Sequence, residues 1–284
     1  MDLSSLSSVE ACFFRSSEMQ EPSTRIPYII VDSFPTLGML TALRFLEWAS
    51  LNPEGVISLP TGKTPEYFIS WTEFFLNNWN DPKTRMIREK YGLAIPVKPD
   101  LTRLHFVQID EFYPIAPSQH NSFYYYVNKF YIEKFNLDRK RALLINADQI
   151  PLASGMHYSQ VFPGNMIDNT LRYRECSTRA EQMQRDSIFM IDDWCTRYEK
   201  KIRELGGIGF FLGGIGPDGH IAVNIRGSDH HSTTRLTATN FETQAVAAGD
   251  LGGIEISRDR MVITIGLETI TYNPDVAAII FAAG

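Results

Sequence analysis

The chain has 284 residues, 44% hydrophobic and 21% charged, the composition of a globular protein with ample material for a core. Twenty-seven Lys and Arg against 33 Asp and Glu leave a net charge of −6. That balance disfavours a general binder of nucleic acid or acidic membranes and leaves room for a local basic pocket. Cys12, Cys176 and Cys195 lie far apart and form no CxxC, which argues against a disulfide framework or a structural zinc site. No apolar run approaches the ~18 to 20 residues of a membrane span. Residues 1–20, Ser-rich with acids and an Arg, lack the order of a secretory signal, so a reducing cytoplasm is the expected compartment.

In chain order, residues 1–25 read as an N-terminal extension and 26–284 as a single domain. A strand is expected at 28–31, a helix at 36–50, a strand at 56–59 and a helix at 65–78. Residues 80–100, with two prolines near their end and mixed charge, read as a surface excursion. A strand at 105–109, a helix at 122–135 and a strand at 142–145 follow. Residues 151–187, rich in Met, Arg and Ser and weakly periodic, read as an insertion covering an edge or a site mouth. The helix expected at 192–205 has the clearest pattern, with Trp194, Tyr198, Ile202 and Leu205 on one face. Strands at 208–212, 261–265 and 276–281 complete the series. Most strands are apolar on both faces, and the alternation predicts an α/β fold with an open, doubly wound, mostly parallel sheet of Rossmann-like type, helices on both faces. The last strand should feed a further helix, so the expected domain lacks its C-terminal helix.

Three loops carry the chemistry. Thr61-Gly62-Lys63-Thr64-Pro65 lies between a strand and a helix. A nucleotide P-loop would need glycine at position 57, which is Ile57, so the ATPase reading fails. A glycine loop opening a helix still offers free N–H groups and a positive dipole end to an anion, and it reads equally as a plain turn. Gly214-x-Gly216-x-x-Gly219 matches a dinucleotide fingerprint, but neither a long amphipathic helix nor a spaced acid follows. What that loop offers is Asp218 beside His220, either an acid/base pair at the carboxyl end of a strand or a turn Asp and a surface His. Asp110-Glu111 closes the strand starting at His105, and the two carboxylates point to opposite sides. Asp110 could then be a base and Glu111 a structural or helix-capping partner. His230-His231 lacks supporting metal-ligand spacing.

Together these loops resemble the glucosamine-6-phosphate deaminase (isomerase) and 6-phosphogluconolactonase superfamily, from about Ile30 onward. Ile221-Ala222-Val223-Asn224 and Asp110-Glu111-Phe112 are similar to the deaminase branch. The resemblance implies that Thr61, Gly62, Lys63 and Thr64 cradle a sugar 6-phosphate and that Asp110 moves a proton between C2 and C1. It implies that His220, oriented by Asp218, opens the pyranose ring, with ammonia leaving as fructose 6-phosphate forms. Neither a metal nor an organic cofactor is implied; the partner is a small sugar phosphate, with a homo-oligomer as the family's frequent assembly. Ser228 and Arg235 match parts of an allosteric site, but Thr237 stands where a Lys is expected. The chain also departs from the pattern where Ile225 replaces the relay Glu, and 241–253 contains no Lys or Arg. The phosphate-binding Lys of the family would lie beyond Gly284; Lys63 offers a charge in the loop instead. A weakened deaminase is the expectation, with a lactonase-type hydrolase or a non-catalytic sugar-phosphate-binding domain as alternatives.

Overall fold

The computed structural model describes residues 6–16, 26–216, 218–251, 253, 257–258 and 260–282. Its elements run α1 (Ser8–Ser16), α2 (Phe34–Leu51), β1 (Val56–Ser58), α3 (Glu66–Asn77), α4 (Pro82–Lys90), β2 (His105–Val107) and β3 (Asp110–Tyr113). They continue with α5 (Phe123–Val127), β4 (Ala142–Leu143), α6 (Tyr158–Val161), α7 (Arg179–Glu204) and β5 (Phe210–Gly214). The last are β6 (Arg235–Ala238), α8 (Phe241–Leu251), β7 (Met261–Thr264), α9 (Leu267–Thr271) and β8 (Ala277–Phe281). Five strands form one parallel sheet in the order β4-β2-β1-β5-β8. Its side chains alternate by face. Ile57, Phe106, Phe210 and Leu212 pack with α2 and α3, whereas Val56, Val107 and Phe211 pack with α7. Helices therefore cover both faces, and both sides of each strand are apolar.

The sequence reading placed every strand in one sheet, but β3, β7 and β6 form a second, antiparallel one. The chain leaves the parallel sheet at Gln108. This fully buried amide takes the N–H of Ile145 on its oxygen at 2.9 Å and donates to the Asp110 carbonyl at 2.9 Å. Its backbone N–H reaches Leu143 and its carbonyl accepts from the Tyr198 hydroxyl. With every polar group satisfied, the bend costs no buried hydrogen bond. The 105–109 run is thus split: β2 ends at Val107, and Asp110 opens a new strand rather than closing the old one.

Other expectations shift for local reasons. Residues 28–31 form no strand among the described residues; Ile30 is exposed while Ile29 and Val31 lean on the core. The 80–100 excursion contains α4, capped by Asp81. It is anchored by Arg88, whose guanidinium lies 3.6 Å over the Trp79 ring and donates to the carbonyls of Trp79 and Ile95. Mixed charge concealed this buried cation-π contact. Helix α7 begins at Arg179, with Thr178 as its N-cap, so the end of the 151–187 segment is helical and the rest holds the one-turn helix α6 and short 3-10 turns. Phe162, Ile167 and Leu171 of that segment are buried in the core beside α7. Of the first 25 residues, 1–5 and 17–25 lie outside the described residues, and α1 buries Val9 and Phe13 against α2 and Tyr91. No helix among the described residues is long and apolar enough to cross a membrane.

Replacing Gln108 by Leu removes both side-chain partners while keeping the volume. The Ile145 N–H and the Asp110 carbonyl are then left unpaired, so Q108L should lose about 2–4 kcal/mol in denaturant unfolding. An unchanged midpoint would show that the junction does not depend on this amide.

Candidate active site

In the parallel sheet, β1 lies between β2 and β5, and chain order reverses at β1, where connections run outward in both directions. Ligands of open α/β sheets bind outside the carboxyl ends of the strands at such a switch point. The 61–64 loop leaves β1 there and the Gly214–His220 loop leaves its neighbour β5, so the topology puts both at one edge. Gly62 adopts φ +94°, a backbone conformation that favours glycine. The loop is held by its carbonyls: the Tyr126 hydroxyl donates to that of Gly62 at 2.8 Å and the Tyr131 hydroxyl to that of Pro60. The N–H groups of Thr61, Gly62, Lys63 and Thr64 donate to nothing among the described residues. Pro65, which has no N–H, precedes the first helical residue, and α3 has no side-chain cap. Gly62, Lys63 and Thr64 are exposed and Thr61 is half-buried.

Tyr126 and Tyr131 tie this loop to Asp110. They lie on α5 and the π-helical turn that continues it, and the start of α5 is capped by Glu111. The Glu111 carboxylate accepts from the Phe123 and Tyr124 N–H groups, the Ser122 hydroxyl and its neighbour's N–H. Burial pushes this carboxyl up to about 8, against the pull of those hydrogen bonds. Asp110, next along the strand, projects to the opposite face. Its side chain accepts no hydrogen bond from the described residues, and burial alone raises it to about 7. The two adjacent acids therefore divide into a saturated helix cap and a partnerless group poised near neutrality.

The second sheet carries Asp110 toward the histidine loop. Asp110, Thr264 and Arg235 stand in register across β3, β7 and β6 and so share one face. On that face the Thr264 hydroxyl accepts the N–H of Val223, at 3.0 Å, three residues beyond His220. Asn224 is a fastener: its amide donates to the carbonyls of Ile221 and Ile265. Ala222 takes φ +52° in this tight turn. His220 Nδ1 lies 2.5 Å from Asp218 Oδ1, both side chains about nine-tenths buried. Asp218 Oδ2 accepts from the Asn240 amide at 2.6 Å. Burial raises the Asp218 carboxyl, but the imidazole and the amide outweigh it and hold it below the usual carboxylate range.

Gly216 makes room for this pair. A Cβ there would lie 2.2 Å from the imidazole Cε1 and 2.4 Å from Nε2, so no other residue fits without displacing His220. The backbone closes the same pocket, with the Gly216 N–H on the His220 carbonyl and the Gly219 N–H on that of Gly216. The glycine pattern that mimics a dinucleotide fingerprint is thus used to seat an imidazole. Asn240 and Thr264 are the site residues the sequence reading did not pick. A cue for Asn240 was available, because its Oδ1 caps α8 through the N–H and hydroxyl of Thr243. Thr264 gives no cue at all, being one polar position inside an apolar strand.

No protein-family model matches the chain. Among curated proteins it is 42% identical over 153 residues to glucosamine-6-phosphate deaminase 2 of Bos taurus, covering 54% of this chain and 51% of that protein. It is 34% identical over 113 residues to glucosamine-6-phosphate deaminase of Caenorhabditis elegans, covering 40% and 42%. The chain resembles the deaminase branch of the superfamily. Its matches span about half the length of these curated relatives or less. Its fold is that of a monomeric glucosamine-6-phosphate deaminase described as a missing link of the NagB superfamily, with a TM-score of 0.59, 19% identity, and coverage of 84% of this chain and 76% of that one. A 6-phosphogluconolactonase from Leishmania guyanensis shares it at a TM-score of 0.53 and 14% identity, with coverage of 90% and 80%. At these identities the structural likeness speaks to the fold alone.

Gly216→Ala tests the seat of the imidazole. The variant should keep the amide spectrum of the two sheets yet lose the hydrogen-bonded Nδ1 proton resonance of His220, with a lowered melting temperature. That resonance surviving at its parental shift would refute the steric account.

Proposed function

We propose that the chain acts as a glucosamine-6-phosphate deaminase, converting glucosamine 6-phosphate and water to fructose 6-phosphate and ammonia by acid/base catalysis. The observation that carries this reading is the hydrogen-bonded series Asn240–Asp218–His220, tied to the same sheet face as a carboxylate poised near pH 7. His220 takes the C1 hydroxyl proton and returns it to the ring oxygen, opening the pyranose. Asp218 holds the tautomer in which Nε2 is free to accept. Asp110 then removes the C2 proton and delivers it to C1 while a proton passes from the C2 amine to the C1 oxygen, giving a C1 alcohol and an imine at C2, which water hydrolyses to the ketone with loss of ammonia. The N–H groups of Thr61, Gly62, Lys63 and Thr64, with the Lys63 ammonium, hold the 6-phosphate at the start of α3. Ile225 removes one relay carboxylate of the family pattern, while Asn240 occupies the second oxygen of Asp218 with an uncharged donor.

Ammonia release from glucosamine 6-phosphate, compared with D110N, is the direct test. Loss of one proton-transfer group should lower the rate by about 10²–10⁴-fold. Equal rates in the two proteins, or none in either, would defeat the assignment. Hydrolysis of 6-phosphogluconolactone above background would favour the lactonase reading, and tight hexose 6-phosphate binding without turnover a binding domain. Restoring the relay carboxylate with I225E should raise deamination in the parent background.

The pH profile supplies an independent check. A carboxyl titrating near 7 is protonated below that value and cannot act as a base, so kcat/KM should fall as pH drops through 7. The same raised pKa means that the unfolded chain gives up this proton first, so the parent loses stability as pH rises from the ordinary value of 3.8 to about 7. D110N, which stays neutral, should therefore gain stability over the parent progressively between about pH 4 and pH 7, with the full gain at pH 8 and none at pH 3. A stability difference independent of pH would show that Asp110 titrates as an ordinary surface acid.

A further inference from the structure

The parallel sheet ends at β4, and beside that edge a cavity of about 400 Å³ opens between β4 and α7. It stands apart from the three loops described above. Its walls carry three cations, Arg139, Arg197 and Lys201, and no acidic side chain among the described residues. On α7, Trp194, Arg197, Tyr198 and Lys201 recur at the spacing of a single helix face and all line the cavity. Arg197 and Lys201 are a like-charged i,i+4 pair, an arrangement that destabilises a helix unless something neutralises it. Neither forms an ion pair among the described residues, whereas the adjacent Lys200 and Arg203 both do. Arg139, on the opposite wall, is fixed by the Asn128 side-chain oxygen and the Tyr124 hydroxyl, both uncharged, and lies over the Tyr124 ring. Three converging cations without a carboxylate lack only an anion.

Trp194 narrows the ligand. It is half-buried, one ring stacked on Tyr198 at 5.2 Å, and it borders the cavity beside Arg197. An indole beside a guanidinium and an ammonium suits a flat or ring-shaped body carrying a charged group. The volume is that of a small-molecule pocket. We propose that this cavity binds a phosphate monoester carried on a ring, a sugar phosphate or a nucleoside monophosphate, at a site separate from the deamination site. The Tyr198 hydroxyl, in the cavity wall, shares its one proton between the carbonyls of Leu143 and Gln108, and the Gln108 amide donates in turn to the carbonyl of Asp110. The site therefore adjoins the frame of the catalytic carboxylate without including it.

The indole N–H resonances of the four tryptophans report on it directly. With labelled full chain, glucose 6-phosphate, AMP and inorganic phosphate are titrated separately. The Trp194 signal should move with at least one ring-bearing phosphate, at lower concentration than with inorganic phosphate, while the Trp48, Trp71 and Trp79 signals stay put. A response to glucose 6-phosphate alone assigns a sugar phosphate, and one to AMP alone a nucleotide. Arg197 and Lys201 are exposed, so R197Q/K201Q should fold normally and bind about tenfold more weakly or worse. A still Trp194 signal with all three probes would overturn the proposal. So would inorganic phosphate binding as tightly as both ring compounds, or unchanged affinity in the double variant. Because the readout is binding at Trp194, its failure is distinct from failure of ammonia release.

Discussion

The amide of Gln108 is the joint on which the rest of the molecule turns. It sits where the chain steps from the last residue of a parallel strand to the first of an antiparallel one, a place where backbone groups would otherwise be buried unpaired. Its side chain supplies one acceptor and one donor in the directions the two sheets leave empty, and its own backbone groups reach Leu143 and Tyr198. Both bonds of the side chain are made in a dry interior, where an unmet polar group is most costly. The step is what lets Asp110 stand on a sheet face rather than dangle at a strand end.

From that joint, two adjacent carboxylates diverge in fate although burial raises both. Glu111 is surrounded by four donors and holds the start of α5. Through the Tyr126 and Tyr131 hydroxyls, α5 in turn holds the glycine loop at the start of α3. Asp110 faces the other way, with no side-chain donor among the described residues, and burial raises its proton affinity toward neutrality. Strand alternation alone separates a scaffold acid from an acid suited to proton transfer. The 61–64 loop and the strand that carries Asp110 and Glu111 are thereby mechanically connected through α5 and the turn that continues it.

The histidine loop is built on different means. Its glycines create space rather than grip phosphate: Gly216 vacates the volume the imidazole fills. Asp218 then fixes the ring and is itself fixed by Asn240 from the start of α8. A neutral amide at that point orients the carboxylate without adding a second charge. That distinguishes this series from a relay of two acids, in which like charges would push one proton affinity upward.

What the residues decided unaided is the part governed by local pattern. Doubly apolar runs specify buried parallel strands, as in β1 and β5, and a 3.6-residue period specifies α2, α3 and the latter half of α7. The glycine and carboxylate loops between them were likewise visible as candidate chemistry. Even the divergence of the Asp110 and Glu111 side chains to opposite faces followed from strand alternation. The partition of strands into two sheets was not legible, because β7 is as apolar as any parallel strand and its pairing is chosen by what lies beside it. The same holds for Arg88, whose charge concealed its burial, and for Thr264 and Asn240, which act on groups 41 and 22 residues away. Pairings at such separation cost little once the sheets have formed around Gln108, but no periodicity within either segment encodes them. Composition sets which groups must be buried; only the assembled sheets decide which neighbour each one meets there.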